Sequence, residues 1–595
     1  MSKKRRSQRP SPHSSKPVDQ PQRRPDDRKI VSIPSRHNSL RWYRSPVVVI
    51  PALVFLICAI DHLWVTEDAF ITFKSVENFW VGYGPQFNRG LRVESFSHPA
   101  WFIILVVLRS LGSESLPAAA ATLGIALSLL GLIAAIESGR KRLQRAPRIF
   151  PLGALIITAL PPFWDFASSG LETGLTFAWI GLVALFLTRI AEPGSACPSL
   201  RIFWLLGLAP LIRPDLAVMA VPFSVLAWLF SRVAGEGILP SIKRAVALIL
   251  PGSLWQLFRM GYYGLTVPNT YLAKEGFSTR WDQGLIYLND LYGLYWLYPI
   301  VLAAIIAVAV SSHSVTRKLS EPSSLFPTFA VPGVFVLCGV IHSLVVCRTG
   351  GDFMHGRLLL PGLFTILTGA SVVCLPTNAQ TRNLFVVPFV IWFCIIALTI
   401  RPPYRSKISS SGIADERTWY VHRSRTTRPI SLEDYSYHHY YRIGQAVTEM
   451  VKRDNLSAVY WAHIGITVSA MPAYVTVIDP LALNDHIGSH IMLSHRGRPG
   501  HEKIVRAAWF LARYPSGSGL VVRNQLDGAF EKRETPEAIS AAQKVLQSPA
   551  VAELTEAVSA PLTWNLFWKN VLRAPRLTRL RIPEDPFAAL QGIDR

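Results

Sequence analysis

The chain has 595 residues, half of them apolar and only 17% charged, with a formal net charge of +23. A soluble protein of this size needs about a quarter charged residues to cover its surface, so a water-soluble enzyme is excluded and a polytopic membrane protein is indicated. The charge is uneven: residues 1–44 hold thirteen Lys and Arg against three Asp, in a stretch rich in Ser and Pro.

That stretch reads as a disordered basic tail. Directly before an apolar run it is a cytoplasmic retention signal under the positive-inside rule rather than a nucleic-acid arm. The run that follows, from Pro46, has no small-residue cleavage pattern after it and stays as an anchor. Further apolar runs lie at about 99–112, 115–136, 149–163, 171–190, 200–212, 216–231, 245–262, 294–311, 325–347, 357–375 and 384–400. The run at 99–112 is short and reads as interfacial. With it left out, about eleven spans put every basic loop on the side of the tail. The transmembrane region is then 45–400, and the polar loops, beginning with 65–98, collect on the extracytoplasmic face.

Residues 401–595 contain no membrane-length apolar run. A helical pattern at 440–454 and strand patterns at 456–468 and 473–479 predict a soluble α/β or α+β domain on the same face. The six Cys show neither disulfide nor zinc spacing. No internal repeat or pair of matching broken helices is visible, which weighs against a secondary transporter.

Candidate chemistry begins with Glu67 and Asp68, expected at the C-terminal end of the first helix, where the macrodipole disfavours acids unless a partner or substrate needs them. After them, Phe70, Phe73, Val76 and Trp80 have the spacing of an amphipathic helix lying on the membrane. Glu172, in "GLETG", starts a span and suits an N-cap. Arg213, in "RPD", is expected to pair with Asp215. Asn269, Tyr271 and Lys274, in "PNTYLAK", are suited to sugar hydroxyls and an anion, or equally to a solvated loop face. In "RTGGDFMHGRLLLP", Arg348, His355 and Arg357 surround a double Gly next to Asp352. Cations there point to an anionic partner such as a phosphate.

The segment "EDAFITFKSVENFWVGYGPQFNRGLRVESFSHPAW" (67–101), followed in order by "GLETG", "RPD", "PNTYLAK", "GGDFMHGRLLLP" and "DPLALNDHI…GRPGHEK" (479–503), resembles the polyprenyl-phosphate-dependent GT-C glycosyltransferases. In particular it resembles the terminal β-(1→2)-arabinofuranosyltransferase family of mycobacterial and corynebacterial cell-wall synthesis. The resemblance implies a plasma-membrane enzyme of GT-C type. Its donor would be decaprenyl-phosphoryl arabinofuranose, and its acceptor the arabinan ends of arabinogalactan and lipoarabinomannan.

The family's acidic pair, Asp-Asp, falls on Glu67 and Asp68, which makes Asp68 the base or nucleophile. Glu67 is left to position a donor hydroxyl, a basic side chain or a divalent cation, the one cofactor admitted. Lys274, Arg348, His355 and Arg357 are the candidates for the departing phosphate. Donor and product are both β-linked in the family, which implies net retention. Neighbours along a helix or strand do not share a face, so the two acids are not expected to act together on one sugar. Tyr460, Trp461 and Tyr474 are candidates for arabinan stacking, or for the core of the C-terminal domain. The rival readings are a GT-C transferase of another polyprenyl-linked sugar, such as mannose, and a lipid-linked sugar transporter.

Overall fold

The computed structural model describes residues 45–593 apart from 114, 145, 193–198, 234–237, 317–324, 405, 516–517 and 522–533. The expectation for the basic tail lies outside the described residues. The described residues form one compact unit.

Among the described residues seven helices are long and apolar enough to cross a membrane: Leu116–Arg142, Thr173–Ile190, Pro214–Ser231, Ile238–Tyr263, Leu297–Thr316, Thr328–Thr349 and Ala379–Leu398. Shorter apolar helices cover Pro46–Asp61, Pro99–Ser110, Leu200–Ile212 and Leu360–Gly369. The chain is a multi-pass membrane protein. Pro99–Ser110, at 12 residues, rises about 18 Å, short of the hydrocarbon thickness. The run expected at 149–163 is broken into Leu152–Thr158 and Pro161–Ala167, because Pro161 and Pro162 cannot donate to a continuing helix.

The centre of the bundle is the pair Leu116–Arg142 and Thr173–Ile190, in which small residues let the backbones touch. A Cβ on Gly174 would lie 2.3 Å from Gly124 O, and one on Gly181 would lie 2.1 Å from Gly131 O. Any larger side chain at either level would force the helices apart.

The first helix ends at Asp61, and a second begins at Glu67 and runs to Trp80. Between them Trp64 and Val65 are buried, and the backbone is held by bonds from Val65 N to Pro429 O and from Thr66 N to Ser169 O. This corrects two expectations. Glu67 and Asp68 occupy the first turn of the second helix, after an extended Thr66 N-cap, so the macrodipole favours them. The second helix is also not a membrane-surface helix: Phe70, Phe73 and Val76 are buried in the main core. Each aromatic there contributes about 2–3 kcal/mol of apolar burial.

The C-terminal region is α/β. Its sheet is parallel, in the order Thr476–Ile478, Ala458–Tyr460, Gly519–Val521, and the amphipathic helix His439–Arg453 packs on it through Val447 and Val451. It is fastened to the loop after the second helix. Asn88 exchanges two bonds with Val477, and the Arg92 guanidinium donates to Ala557 O and Ala560 O. The Asn88 bonds hold the C-terminal sheet, and the Arg92 bonds the 557–560 segment, against that loop.

Candidate active site

Four segments distant in sequence bring a buried charge network together around Asp68. Arg357 is its hub, with Nη1 3.8 Å from Asp68 Oδ2 and 3.5 Å from Asp352 Oδ2, and Nη2 3.7 Å from Glu172 Oε1. Arg213 donates bidentately to Asp215, at 3.0 and 2.9 Å, and to Glu172 at 3.3 Å. The loop that delivers Arg357 turns through Gly350, Gly351 and Gly356, all at positive φ, where a side chain would be strained.

The Arg357 contacts are long for a guanidinium, and its buried Nε–H has no partner among the described residues. Burial opposes its charge, but Glu172, Asp352 and Asp68 hold its pKa above the ordinary value. Burial raises the Asp68 carboxyl, with Lys274 and Arg357 pulling it back. Burial likewise opposes the Glu172 charge, but His98, Arg357 and Arg213 outweigh it and hold this acid below its usual range. The site thus pairs one ionised, cation-clamped carboxylate, Glu172, with a second, Asp68, whose proton affinity is raised.

Asp68 and Glu67 diverge. Glu67 Oε1 accepts from Gly465 N at 2.5 Å, at the start of a short helical turn of the C-terminal region. The approach requires glycine: a Cβ at 465 would lie 2.1 Å from Glu67 O. Glu67 and Asp68 line a small cavity with Lys274, Phe353, His463, Asp479 and His501. Among the described residues no group of three or more His, Cys, Asp or Glu side chains is arranged to hold a metal ion.

Burial, then the adjacent Asp68, push Glu67 up to about 8, and burial pushes Asp479 up to about 7. The folded state therefore binds more protons than the unfolded chain between the ordinary carboxyl value and about 8. Stability falls as pH rises through that window, by at most about 5 kcal/mol for Glu67. The melting temperature of the purified protein should fall from about pH 5 to about pH 8.5, and Glu67→Gln should flatten that slope without removing the part due to Asp479. Superimposable slopes for the two proteins would show that Glu67 is ionised throughout.

The remaining candidates divide. Asp352 is in the network and Lys274 is at the cavity. Glu172 stands at the N-cap of its helix but makes no capping bond, its carboxylate being turned to the arginines. Asn269 is buried and donates to Ala482 O and Leu483 O, so it fastens the C-terminal region instead of facing a sugar. The Tyr271 hydroxyl closes its own loop on Gly276 O. Arg348 is exposed and is not part of the Asp68 network. His355 is held 2.5 Å from Asp290 and 3.1 Å from the Tyr295 hydroxyl. It lines a separate polar cavity with Trp64, Asp165, Arg401 and Glu416. Tyr460 and Trp461 are buried, whereas Tyr474 is exposed.

Sequence reading passed over His98, Asp479, His463 and His501. His98 lies 3.3 Å from Glu172 and 3.1 Å from Thr72, and burial lowers its pKa. The signal for Asp479 and His501 was in the chain, since 479–503 was already among the resembling motifs, but nothing local showed that this stretch reaches Asp68; His463 carried no such signal.

Residues 422–591 match the AftB family C-terminal domain. The chain is 28% identical to the terminal β-(1→2)-arabinofuranosyltransferase of Mycobacterium tuberculosis, over 88% of this chain and 93% of that protein. It is 28% identical to the enzyme of the same name from Corynebacterium glutamicum, over 88% of this chain and 84% of that one. Among solved structures, ArnT from Cupriavidus metallidurans, bound to undecaprenyl phosphate, aligns with a TM-score of 0.41 and 14% identity over 80% of each chain. Over most of its length, then, the chain is similar to proteins named terminal β-(1→2)-arabinofuranosyltransferase, in keeping with the resemblance of its ordered motifs.

Proposed function

We propose that the chain is a membrane glycosyltransferase of GT-C type that moves arabinofuranose from decaprenyl-phosphoryl arabinofuranose to the non-reducing ends of cell-wall arabinan, forming terminal β-(1→2) linkages. The observation that carries this is the unpartnered, buried Nε–H of Arg357 beside Asp68. A leaving phosphate needs a donor of that kind, and an acceptor hydroxyl needs a carboxylate within reach of the same sugar. Lys274, lining the small cavity that Asp68 also lines, supplies a second cation to the phosphate.

Asp68 acts on the sugar as base or nucleophile. Glu67 holds the 463–466 segment of the C-terminal region against it. With Glu67 committed to Gly465, the two adjacent acids are not a pair flanking one glycosidic bond. Retention then rests on Asp68 alone or on front-side attack assisted by the leaving phosphate. Charge parity of the loops supports an active site and C-terminal region on the extracytoplasmic face of the plasma membrane, with arabinogalactan and lipoarabinomannan as acceptors.

The test is direct. Purified protein supplied with radiolabelled decaprenyl-phosphoryl arabinofuranose and a short arabinan should give a product whose linkage analysis shows new terminal β-(1→2) arabinofuranose. Transfer from a mannosyl lipid instead, or movement of the lipid across a bilayer with no glycan product, would overturn the proposal.

A further inference from the structure

The helix Trp564–Arg579 carries two faces of opposite use. Leu566, Asn570, Ala574 and Leu577 are buried. They lie against the C-terminal end of the Ile238–Tyr263 span, where Asn570 Nδ2 donates to Gly261 O at 3.1 Å and Thr578 Oγ1 accepts from Thr266 N at 2.9 Å. On the other face Trp564, Trp568 and Leu572 stand one helical turn apart and are 79%, 51% and 83% exposed. Water does not favour such a stripe.

The stripe is continuous with a surface that the membrane already claims. Leu250, Leu254 and Leu257 are exposed on the span at spacing that leads to Gly261. Phe567 covers Gly261 so closely that a Cβ there would lie 2.2 Å from its ring. Trp564 and Trp568 flank Phe567, with ring centroids 6.0 and 5.5 Å away. Beside this point the loop after the second helix reaches the same span end, with the Tyr263 hydroxyl donating to Pro85 O, and it brings exposed Trp80 and Tyr83. The basic side chains next to the stripe are occupied: Lys569 and Arg573 pair with Glu556, and Arg573 and Arg576 pair with Glu553.

We infer that Trp564–Arg579 is an interfacial helix. It sits in the lipid–water boundary of the leaflet where the Ile238–Tyr263 span emerges, with Trp564, Trp568 and Leu572 in the acyl region. Amphipathic helices of this composition bury their apolar face about 5–10 Å into the headgroup boundary, and Trp is the residue most at home there. The C-terminal region is thereby fixed at one height above the bilayer, through a contact separate from the Glu67–Gly465 bond.

Full-length protein in nanodiscs containing a phospholipid with a diazirine near the glycerol end of its acyl chain, irradiated and digested, reads this out. Lipid adducts are expected on the peptide holding Leu562–Leu572 as well as on the one holding Leu250–Leu257. The triple variant Trp564→Ser, Trp568→Ser, Leu572→Ser should lose the first set about tenfold or more and keep the second. Adducts on the span with none on the helix would overturn the inference. So would a crosslink from this face to a second copy of the chain in place of lipid.

Discussion

Asp68→Asn is expected to lower arabinosyl transfer by about 10²–10⁴-fold while donor lipid still binds, since a positioned base or nucleophile supplies acceleration of that order. The substitution keeps the size of the side chain and removes only its capacity to take a proton or form a bond. Arg357 retains Glu172 and Asp352 as counter-charges, so the phosphate pocket and the fold should survive. Burial raises the Asp68 pKa while Lys274 and Arg357 oppose it. The carboxylate is thus a stronger base than one in water. Single-turnover transfer of labelled donor, measured beside equilibrium binding of the same lipid, separates the two effects. A variant that transfers at the wild-type rate would remove Asp68 from the chemistry, and one that loses donor binding in parallel would make it a binding group.

Much of this arrangement was legible in the chain, but in pieces. The strands at 458–460 and 476–478 and the helix at 439–453 fell where alternation and 3.6-residue periodicity put them, because a water-facing domain shows its period plainly. The start of the second helix was misread for a physical reason. Trp64 and Val65 turn inward and are buried, with the backbone at Val65 and Thr66 bonded to Pro429 and Ser169, so the break between the two helices carries no Gly or Pro to mark it. The correct signal was present in Thr66 followed by two acids, a helix N-terminus by composition.

The site shows the same division. Single motifs located Glu172, Arg213, Asp352 and Arg357, since charges beside apolar runs need partners. Which charges meet was not readable. Arg348 and His355 share a motif with Arg357, yet one is exposed and the other faces Asp290 in a different cavity. Asn269 proved to be a fastener because its partners are backbone carbonyls at 482 and 483, which no side-chain pattern announces. That the C-terminal region reaches Glu67 through Gly465 required the fold.

The second large effect concerns stability. Arg213→Met is expected to cost about 3–5 kcal/mol, because it leaves Glu172 and Asp215 with one buried cation fewer. Its guanidinium makes two bonds to Asp215 and one to Glu172, with a side chain only 6% exposed. Burial opposes its charge, but Asp215 and then Glu172 hold its pKa above the ordinary value. After the substitution Asp215 keeps His342 at 2.8 Å, while Glu172 keeps His98 at 3.3 Å and Arg357 at 3.7 Å, the latter already shared with Asp68 and Asp352. Lysine is no substitute, because a point charge cannot meet Asp215 bidentately. The double variant Arg213→Met, Asp215→Leu removes both ends of the tightest pair, and should recover more than half of the loss. Thermal unfolding of the wild type, Arg213→Met, Asp215→Leu and the double variant in one detergent at neutral pH decides it. If the double variant is less stable than Arg213→Met by the full cost of Asp215→Leu alone, the pair is not coupled, and the network around Asp68 is held by packing alone.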